Sequence, residues 1–134
     1  MPLNKLDHIG IAVKDLDESI KLYERLLGVI CYKIEEVKDQ FTLTAFFKIG
    51  DIKIELISST KPDTALHRFL EKKGEGLHHI AFEVKDVLDE VRQLEEKGFK
   101  KIGDKPSLGA DQKQIQFIHP ETTQKTLIEL CADV

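Results

Sequence analysis

The 134-residue chain lacks any apolar run near the roughly 18 to 20 residues of a membrane-spanning helix, so the sequence predicts no transmembrane segment. Its N-terminus shows neither an apolar core segment nor a small-residue cleavage site, and we expect a cytoplasmic protein without a secretory signal. No dense cluster of Lys and Arg accompanies the net charge of −4, which disfavours nucleic acid as a partner. The two cysteines, Cys31 and Cys131, belong to no CxxC motif and are expected to be core thiols.

The chain does contain enough apolar material for one domain, and a repeated sequence. Hydrophobic residues make up 41% of it, and its length fits a single domain over residues 1–134. Residues 7–15 (DHIGIAVKD) align with residues 78–86 (HHIAFEVKD). The two segments are identical at the positions of His8, Ile9, Val13, Lys14 and Asp15. A repeat of this kind predicts two related structural modules.

Each repeat is followed by an amphipathic helix and then by strands. Asp15 and Asp86 occupy N-cap positions, and Gly28 and Gly98 end the helical runs. The predicted strands are 41–49, 53–58, 114–118 and 126–131, with 29–37 and 99–103 as candidate extra strands and a helix over 62–70 in the linker 61–76. We therefore predict an α+β fold of two tandem βαβββ modules, about 5–60 and 77–134. The modules are expected to pair into a curved, partly open sheet around a metal-binding cleft.

One histidine and one glutamate recur at matching places in the two modules. Strand alternation places His8 and His79 beside small residues, which leaves space in front of each ring. Glu55 and Glu129 lie on the last strand of each module, and their apolar neighbours point the opposite way. An isolated buried carboxylate is costly, whereas a cation held by two imidazoles and two carboxylates removes that cost. We therefore predict a site for one divalent ion such as Co²⁺, Mn²⁺, Ni²⁺ or Zn²⁺.

Taken one at a time, these residues have simpler explanations. A single histidine at the start of a strand is usually a core or surface residue, and a lone glutamate among apolar neighbours is more often an edge-strand charge. Only the joint repetition favours ligands. The other histidines are interpreted as structural or solvated, because His78 alternates to the face opposite His79, His67 falls in the linker helix and His119 falls in a turn.

The strings DHIGIAVKDLDESIKLYERLLG, GDIKIELI, FLEKKGEGLHHIAFEV and LIEL resemble the methylmalonyl-CoA epimerases of the vicinal oxygen chelate superfamily. The similarity covers nearly the whole chain, and GEGLHHIAFEV is its most specific part. The resemblance implies an isomerase whose metal, Co²⁺ by analogy with the family, is held by His8, Glu55, His79 and Glu129. It also implies an acyl-CoA thioester substrate and a homodimer.

The implied reaction removes the C2 proton of methylmalonyl-CoA and returns a proton on the other face. A cation chelated by the thioester oxygen and the free carboxylate would neutralise the charge of the enolate. Inversion calls for one acid–base group on each face of C2, and Glu129 is the first candidate. Some family members carry an acid, proposed as the second base, where this chain has Thr44. Because threonine is no base at neutral pH, Glu55 and a metal-bound water are the candidates for the second group.

Two loops depart from the family pattern. Asp111-Gln112 and Gln124-Lys125 replace pairs of glycines, which changes loop flexibility near the expected mouth of the cleft. By family position, the loop that contains Ser107 and Gly109 is the candidate contact for the substrate. Two alternatives are a glyoxalase I-like lactoylglutathione lyase on the same scaffold and a metal-free small-molecule-binding protein of the resistance type. The second alternative does not explain a carboxylate at both expected ligand positions.

Overall fold

The computed structural model describes residues 3–134 as three α-helices and eight β-strands. The strands are β1 (Lys5–Ala12), β2 (Lys33–Val37), β3 (Thr42–Ile49), β4 (Ile52–Ser59), β5 (Gly76–Glu83), β6 (Ser107–Leu108), β7 (Lys113–Ile118) and β8 (Ile128–Asp133). The helices are α1 (Leu16–Leu27), α2 (Ala65–Lys73) and α3 (Val87–Glu96). This content confirms the α+β fold class. The described residues divide into two compact units. The first is Ile9–His78, and the second is His79–Val134 together with residues 3–8.

The Ile9–His78 unit is built on neighbouring strands in the order β2-β3-β4-β1. β2 pairs with β3, and β3 with β4, in antiparallel fashion. Ala45 and Phe47 alternate along β3 and are fully buried together with Leu56 of β4, where α1 packs. α2 packs against β4 through Leu66 and Leu70. α1 therefore covers one set of alternating strand residues, as the apolar periodicity predicts, whereas α2 packs with Ile57 of the other set.

The His79–Val134 unit has the strand order β5-β8-β7-β6. β5 and β8 run parallel, whereas β8 with β7 and β7 with β6 are antiparallel. Val87 and Val91 of α3 are buried against Ile118 of β7 and Leu130 of β8. Because strand side chains alternate, Glu129 points to the face of β8 away from this apolar cluster.

Both aspartate N-caps predicted from the repeat are confirmed. The side chain of Asp15 accepts a hydrogen bond from the backbone N–H of Glu18, and the side chain of Asp86 accepts one from that of Asp89. Each bond satisfies a backbone donor that the first helical turn leaves without a partner. Gly28 ends α1 in the left-handed conformation at φ 72°, where a residue without Cβ is preferred.

The strand predicted over residues 99–103 is wrong. Only Lys101 of that segment makes an isolated bridge, to Ile118, and bends follow it, so the segment never forms a continuous ladder. The edge position beside β7 belongs instead to the two residues of β6. The linker helix begins at Ala65, three residues after the predicted start at Pro62, because Thr64 is its N-cap and accepts a hydrogen bond from the N–H of His67.

The two loops that depart from the family pattern carry an unusual backbone. Asp111, Gln112, Gln124 and Lys125 all have φ between 55° and 71°. The left-handed region costs a residue with a Cβ roughly 1–2 kcal/mol. These four residues therefore occupy conformations that glycine adopts without strain.

The two cysteines differ in burial. Cys131 is fully buried in β8 and Cys31 is half-buried, and neither forms a disulfide within residues 3–134. No helix in the same stretch of chain is both long and apolar enough to cross a membrane.

Candidate metal centre

Three of the four predicted ligands meet inside the His79–Val134 unit, each supplied by a different strand. His8 comes from β1, His79 from β5 and Glu129 from β8. β5 and β8 are paired so that Ala81 lies opposite Glu129. Because side chains alternate along a strand, His79, two residues before Ala81, lies on the same face as the carboxylate. The strand alternation that predicted these residues as ligands therefore also accounts for how they converge.

The donor atoms of this group are close together and shielded from water. His8 Nε2 lies 3.0 Å from His79 Nε2. The Glu129 carboxylate approaches both rings, at 3.5 Å from His8 Nε2 and 3.3 Å from His79 Nε2. All three residues are no more than 6% exposed. The rings stand perpendicular, with centroids 5.1 Å apart.

These separations fit the coordination shell of a divalent cation. Donors that bind one ion at about 2.1 Å are about 3.0 Å apart at an angle of 90° and about 3.4 Å apart at the tetrahedral angle. The three distances lie within that range or about 0.1 Å beyond it. Two ring nitrogens at 3.0 Å also need a proton or a cation between them, because their lone pairs repel. His8, His79 and Glu129 could therefore supply one face of a cation site.

Asp7 contacts the ring of His8, the first predicted ligand, and was not predicted from the sequence. Its Oδ2 lies 2.7 Å from His8 Nδ1, and Asp7 is 4% exposed. A carboxylate at this distance accepts from Nδ1–H, which leaves on Nε2 the lone pair that a cation would need. The signal was present in the string DHIG, but alternation alone assigns adjacent residues to opposite faces of a strand.

We expect Asp7→Asn to weaken metal affinity about 10- to 100-fold while the fold is retained. Removing a carboxylate that supports a ligating histidine loosens the ring and lowers its basicity, which typically has an effect of this size. Isothermal titration with Co²⁺ measures the change. Asp17→Asn, on the exposed side of α1, is the matched control and should bind Co²⁺ like the unmodified protein. Equal affinity of the two variants would contradict the role given to Asp7.

The floor around the group is apolar. Phe117 packs edge-on against the ring of His79 at a centroid distance of 5.6 Å, and it belongs to a cluster with Ala81, Ile115 and Cys131. The Cys131 thiol also lies within 4.8 Å of ligand atoms of Asp7 and His8. Such surroundings lower the local polarity, which strengthens electrostatic interactions with a bound ion.

The fourth predicted ligand, Glu55, belongs to the Ile9–His78 unit. It lies on β4 opposite Phe46 of β3 and is 3% exposed. Thr44 is also buried and pairs with Ile57 on the same face of the ladder. The role of Glu55 as a metal ligand stays a prediction.

The remaining histidines have other surroundings. Burial, together with the nearby charge of Lys73, lowers the pKa of His78 to about 4, so the ring is neutral at pH 7. It packs edge-on against Phe69 at 4.7 Å. His67 lies 3.4 Å from Glu71 on α2, and His119 accepts a hydrogen bond from the N–H of Glu121.

The loop predicted to contact the substrate, which contains Ser107 and Gly109, lies at the edge of the His79–Val134 unit. Ser107 is exposed on β6, which pairs with β7. A Cβ added to Gly109 would lie 2.8 Å from the Ile115 side chain, so this position needs glycine for close packing. Its backbone N–H donates to the carbonyl of Lys113 and closes the loop.

Comparisons with known proteins show which family the chain is similar to. A family model described as the Glyoxalase/Bleomycin resistance protein/Dioxygenase superfamily matches residues 7–118. The chain is 42% identical to an uncharacterized protein of Bacillus subtilis, over 96% of this chain and 92% of that protein. It is 32% identical to the ethylmalonyl-CoA/methylmalonyl-CoA epimerase of Cereibacter sphaeroides, over 96% and 97% of the two chains. A variant of the Streptomyces coelicolor methylmalonyl-CoA epimerase, solved in complex with 2-nitronate-propionyl-CoA, is similar with a TM-score of 0.93 at 33% identity, over 98% and 96%.

Proposed function

The chain belongs to the glyoxalase/bleomycin resistance protein/dioxygenase superfamily, and we propose that within it the chain acts as a methylmalonyl-CoA epimerase. The observation that carries the proposal is the buried group of His8, His79 and Glu129. Such a group occurs here in a chain that is similar, over nearly its full length, to enzymes named for this reaction. The substrate is then a 2-alkylmalonyl thioester of coenzyme A.

The proposed ligand set is His8, Glu55, His79 and Glu129. The first, third and fourth are supported by their mutual distances, and Glu55 by its place in the repeat and by its burial. Bound there, a divalent cation supplies Lewis acidity that stabilises negative charge developing on a thioester oxygen. We propose Co²⁺ on the family resemblance, with Mn²⁺, Ni²⁺ and Zn²⁺ as competitors, since affinity order alone does not select the ion.

Glu129 is the proposed group for one of the two proton transfers. Its carboxylate is buried beside two imidazoles and an aromatic floor, where it is shielded from water and held on a rigid strand. A positioned carboxylate of this kind accepts the C2 proton from one face of the substrate. Ser107 and Gly109 are proposed to contact the CoA portion, and a homodimer is proposed as the assembly. Both of these rest on the family resemblance.

Exchange of the C2 proton of the substrate for solvent deuterium tests the activity directly. The cobalt-loaded protein is incubated with methylmalonyl-CoA in D₂O, and NMR follows the C2 proton. We expect the C2 signal to disappear, because each proton abstraction is followed by return of a solvent deuteron. Protein treated with a chelator should leave the signal unchanged. If C2 stays protonated in the loaded protein while a glutathione hemithioacetal is converted, the lyase alternative is correct instead.

Two substitutions at Glu55 separate its possible roles. We expect Glu55→Gln to keep the metal, because an amide oxygen still ligates, and Glu55→Leu to weaken metal affinity by about tenfold or more. Titration with Co²⁺ measures both. Glu55→Leu with unchanged affinity would remove Glu55 from the ligand set. Deuterium exchange that persists in Glu55→Gln would exclude Glu55 as the second proton-transfer group.

A further inference from the structure

Strand β2 lies at an open edge of the Ile9–His78 unit. β3 is its single neighbouring strand among residues 3–134. Since the backbone N–H and C=O groups of successive strand residues point to alternate sides, about half of those of β2 point away from β3. An edge of this kind can pair with a further strand in the same way as it pairs with β3.

Four large apolar residues are exposed along the chain that leads into this edge. Leu22 and Leu26, four residues apart on α1, are 50% and 69% exposed, because α1 contacts the core through other residues. Ile30, between α1 and β2, is 77% exposed, and Ile34 on β2 is 54% exposed. Single exposed apolar side chains are common, whereas a group of them on neighbouring elements is typical of a surface that contacts another protein.

The two faces of β2 differ in character. Ile34 pairs with Ala45, which belongs to the core cluster under α1, so Ile34 lies on the α1 side of the sheet. Lys33 and Glu35 lie on the other side, where the ammonium nitrogen and a carboxylate oxygen are 3.5 Å apart. The strand therefore has an apolar residue on one face and a pair of opposite charges, one before and one after it, on the other.

These charges select one register for pairing β2 with a second copy of itself. A twofold axis perpendicular to the sheet makes the two copies antiparallel and places one residue opposite its own copy. With Lys33, Glu35 or Glu36 at that position, like charges would face each other, which is unfavourable. With Val37 there, only one pair would lie within β2. With Ile34 there, two apolar side chains meet and Lys33 of each copy lies opposite Glu35 of the partner subunit.

We propose that β2 is the interface through which two copies of this chain associate, paired antiparallel about Ile34. Charged residues on an edge strand usually oppose pairing, but in this register each Lys33 lies between two carboxylates, its own Glu35 and Glu35 of the partner subunit. Burial of Ile34 also removes apolar surface from water. The interface gives the proposed homodimer a defined geometry and does not depend on the proposed epimerase activity, so its test needs no substrate.

Sedimentation equilibrium of the full chain measures the association. We expect a dimer, and Ile34→Asp should raise its dissociation constant by about a hundredfold or more, because two carboxylates then face each other in place of two apolar side chains. Leu88→Asp, which replaces an exposed leucine of α3, is the matched control and should dimerise like the unmodified protein. A monomeric unmodified protein, or a folded Ile34→Asp variant that dimerises as tightly, would overturn the proposal.

Charge reversal examines the register and does not rely on the Ile34 variant. Lys33→Glu and Glu35→Lys each place like charges opposite one another, so each should weaken the dimer by about tenfold or more. The double variant restores opposite charges in both pairs and should recover most of the affinity. Circular dichroism checks that the variants fold. A folded double variant as weak as the weaker single variant would contradict the pairing.

Oxidative cross-linking locates the twofold axis. In a Cys31→Ala background, Ile34→Cys should form a disulfide-linked dimer, because residue 34 lies opposite its own copy. Glu36→Cys should not, since its two copies would be offset by four residues, about 13 Å along the strands. Cross-linking through residue 36 but not through residue 34 would show a different register, and the proposal would be wrong.

Discussion

Replacing His79 by alanine is expected to abolish metal binding and epimerase activity together. The substitution removes one of three donors that lie 3.0–3.5 Å apart, and the remaining imidazole and carboxylate cannot close the same face of the shell. A metal ion that stabilises developing negative charge contributes several kcal/mol to the transition state, so we expect kcat/KM to fall by about a thousandfold or more. Elemental analysis and the deuterium exchange assay measure the two losses on one preparation.

His67→Ala is the matched control for His79→Ala. His67 lies on α2 beside Glu71 and takes no part in the buried group, so metal content and exchange rate should remain those of the unmodified protein. Circular dichroism of both variants checks that they fold. Full metal content in folded His79→Ala would show that the ligand assignment is wrong, whatever the activity.

Glu129→Gln is expected to have the second large effect on activity, and the effect should differ between the two C2 epimers of the substrate. Glutamine keeps the shape and one oxygen but cannot accept a proton, so proton transfer on the face served by Glu129 should fall by about 10²- to 10⁴-fold. Deuterium exchange is measured separately from each C2 epimer at saturating Co²⁺. The epimer whose proton faces residue 129 should lose its exchange, while the other should retain more of it.

Two comparisons make this test specific. Glu121→Gln alters an exposed acid in the turn after His119 and should leave both exchange rates unchanged. Titration of Glu129→Gln with Co²⁺ shows how much of the loss comes from weaker metal binding. An equal fall from both epimers that more Co²⁺ restores would make Glu129 a ligand only.

The repeat made most of the fold and much of the site predictable. The pairing of His8 with His79 follows from comparing two short segments, and Glu129 follows from alternation in an apolar strand. The aspartate caps of α1 and α3 were likewise predicted from local sequence, because a cap involves residues only three apart. The strand predicted at 99–103 does not form. A ladder needs a partner strand at a matching register, and the sequence of one strand does not specify that partner.

Two acids show the limit of periodicity in opposite ways. Asp7 should face away from His8 on an ideal strand, yet its side chain turns to the neighbouring ring, and only side-chain torsions decide this. Glu90 occupies a helical position that the apolar stripe marks as buried, so its burial was predictable from the spacing of Val87, Val91 and Leu94. The cavity that Glu90 lines was not predictable from the sequence, because cavity volume depends on how distant segments pack.

By itself the sequence determined which strand face carries each predicted ligand, where the helices of the two modules begin, and that histidine and glutamate recur in pairs. These are consequences of short-range geometry, with a period of two along strands and 3.6 along helices. The tertiary structure alone decided that His8, His79 and Glu129 approach within the spacing of a coordination shell, and that Asp7 selects the tautomer of His8. Those distances depend on strand pairing between segments more than 40 residues apart, and no local pattern encodes them.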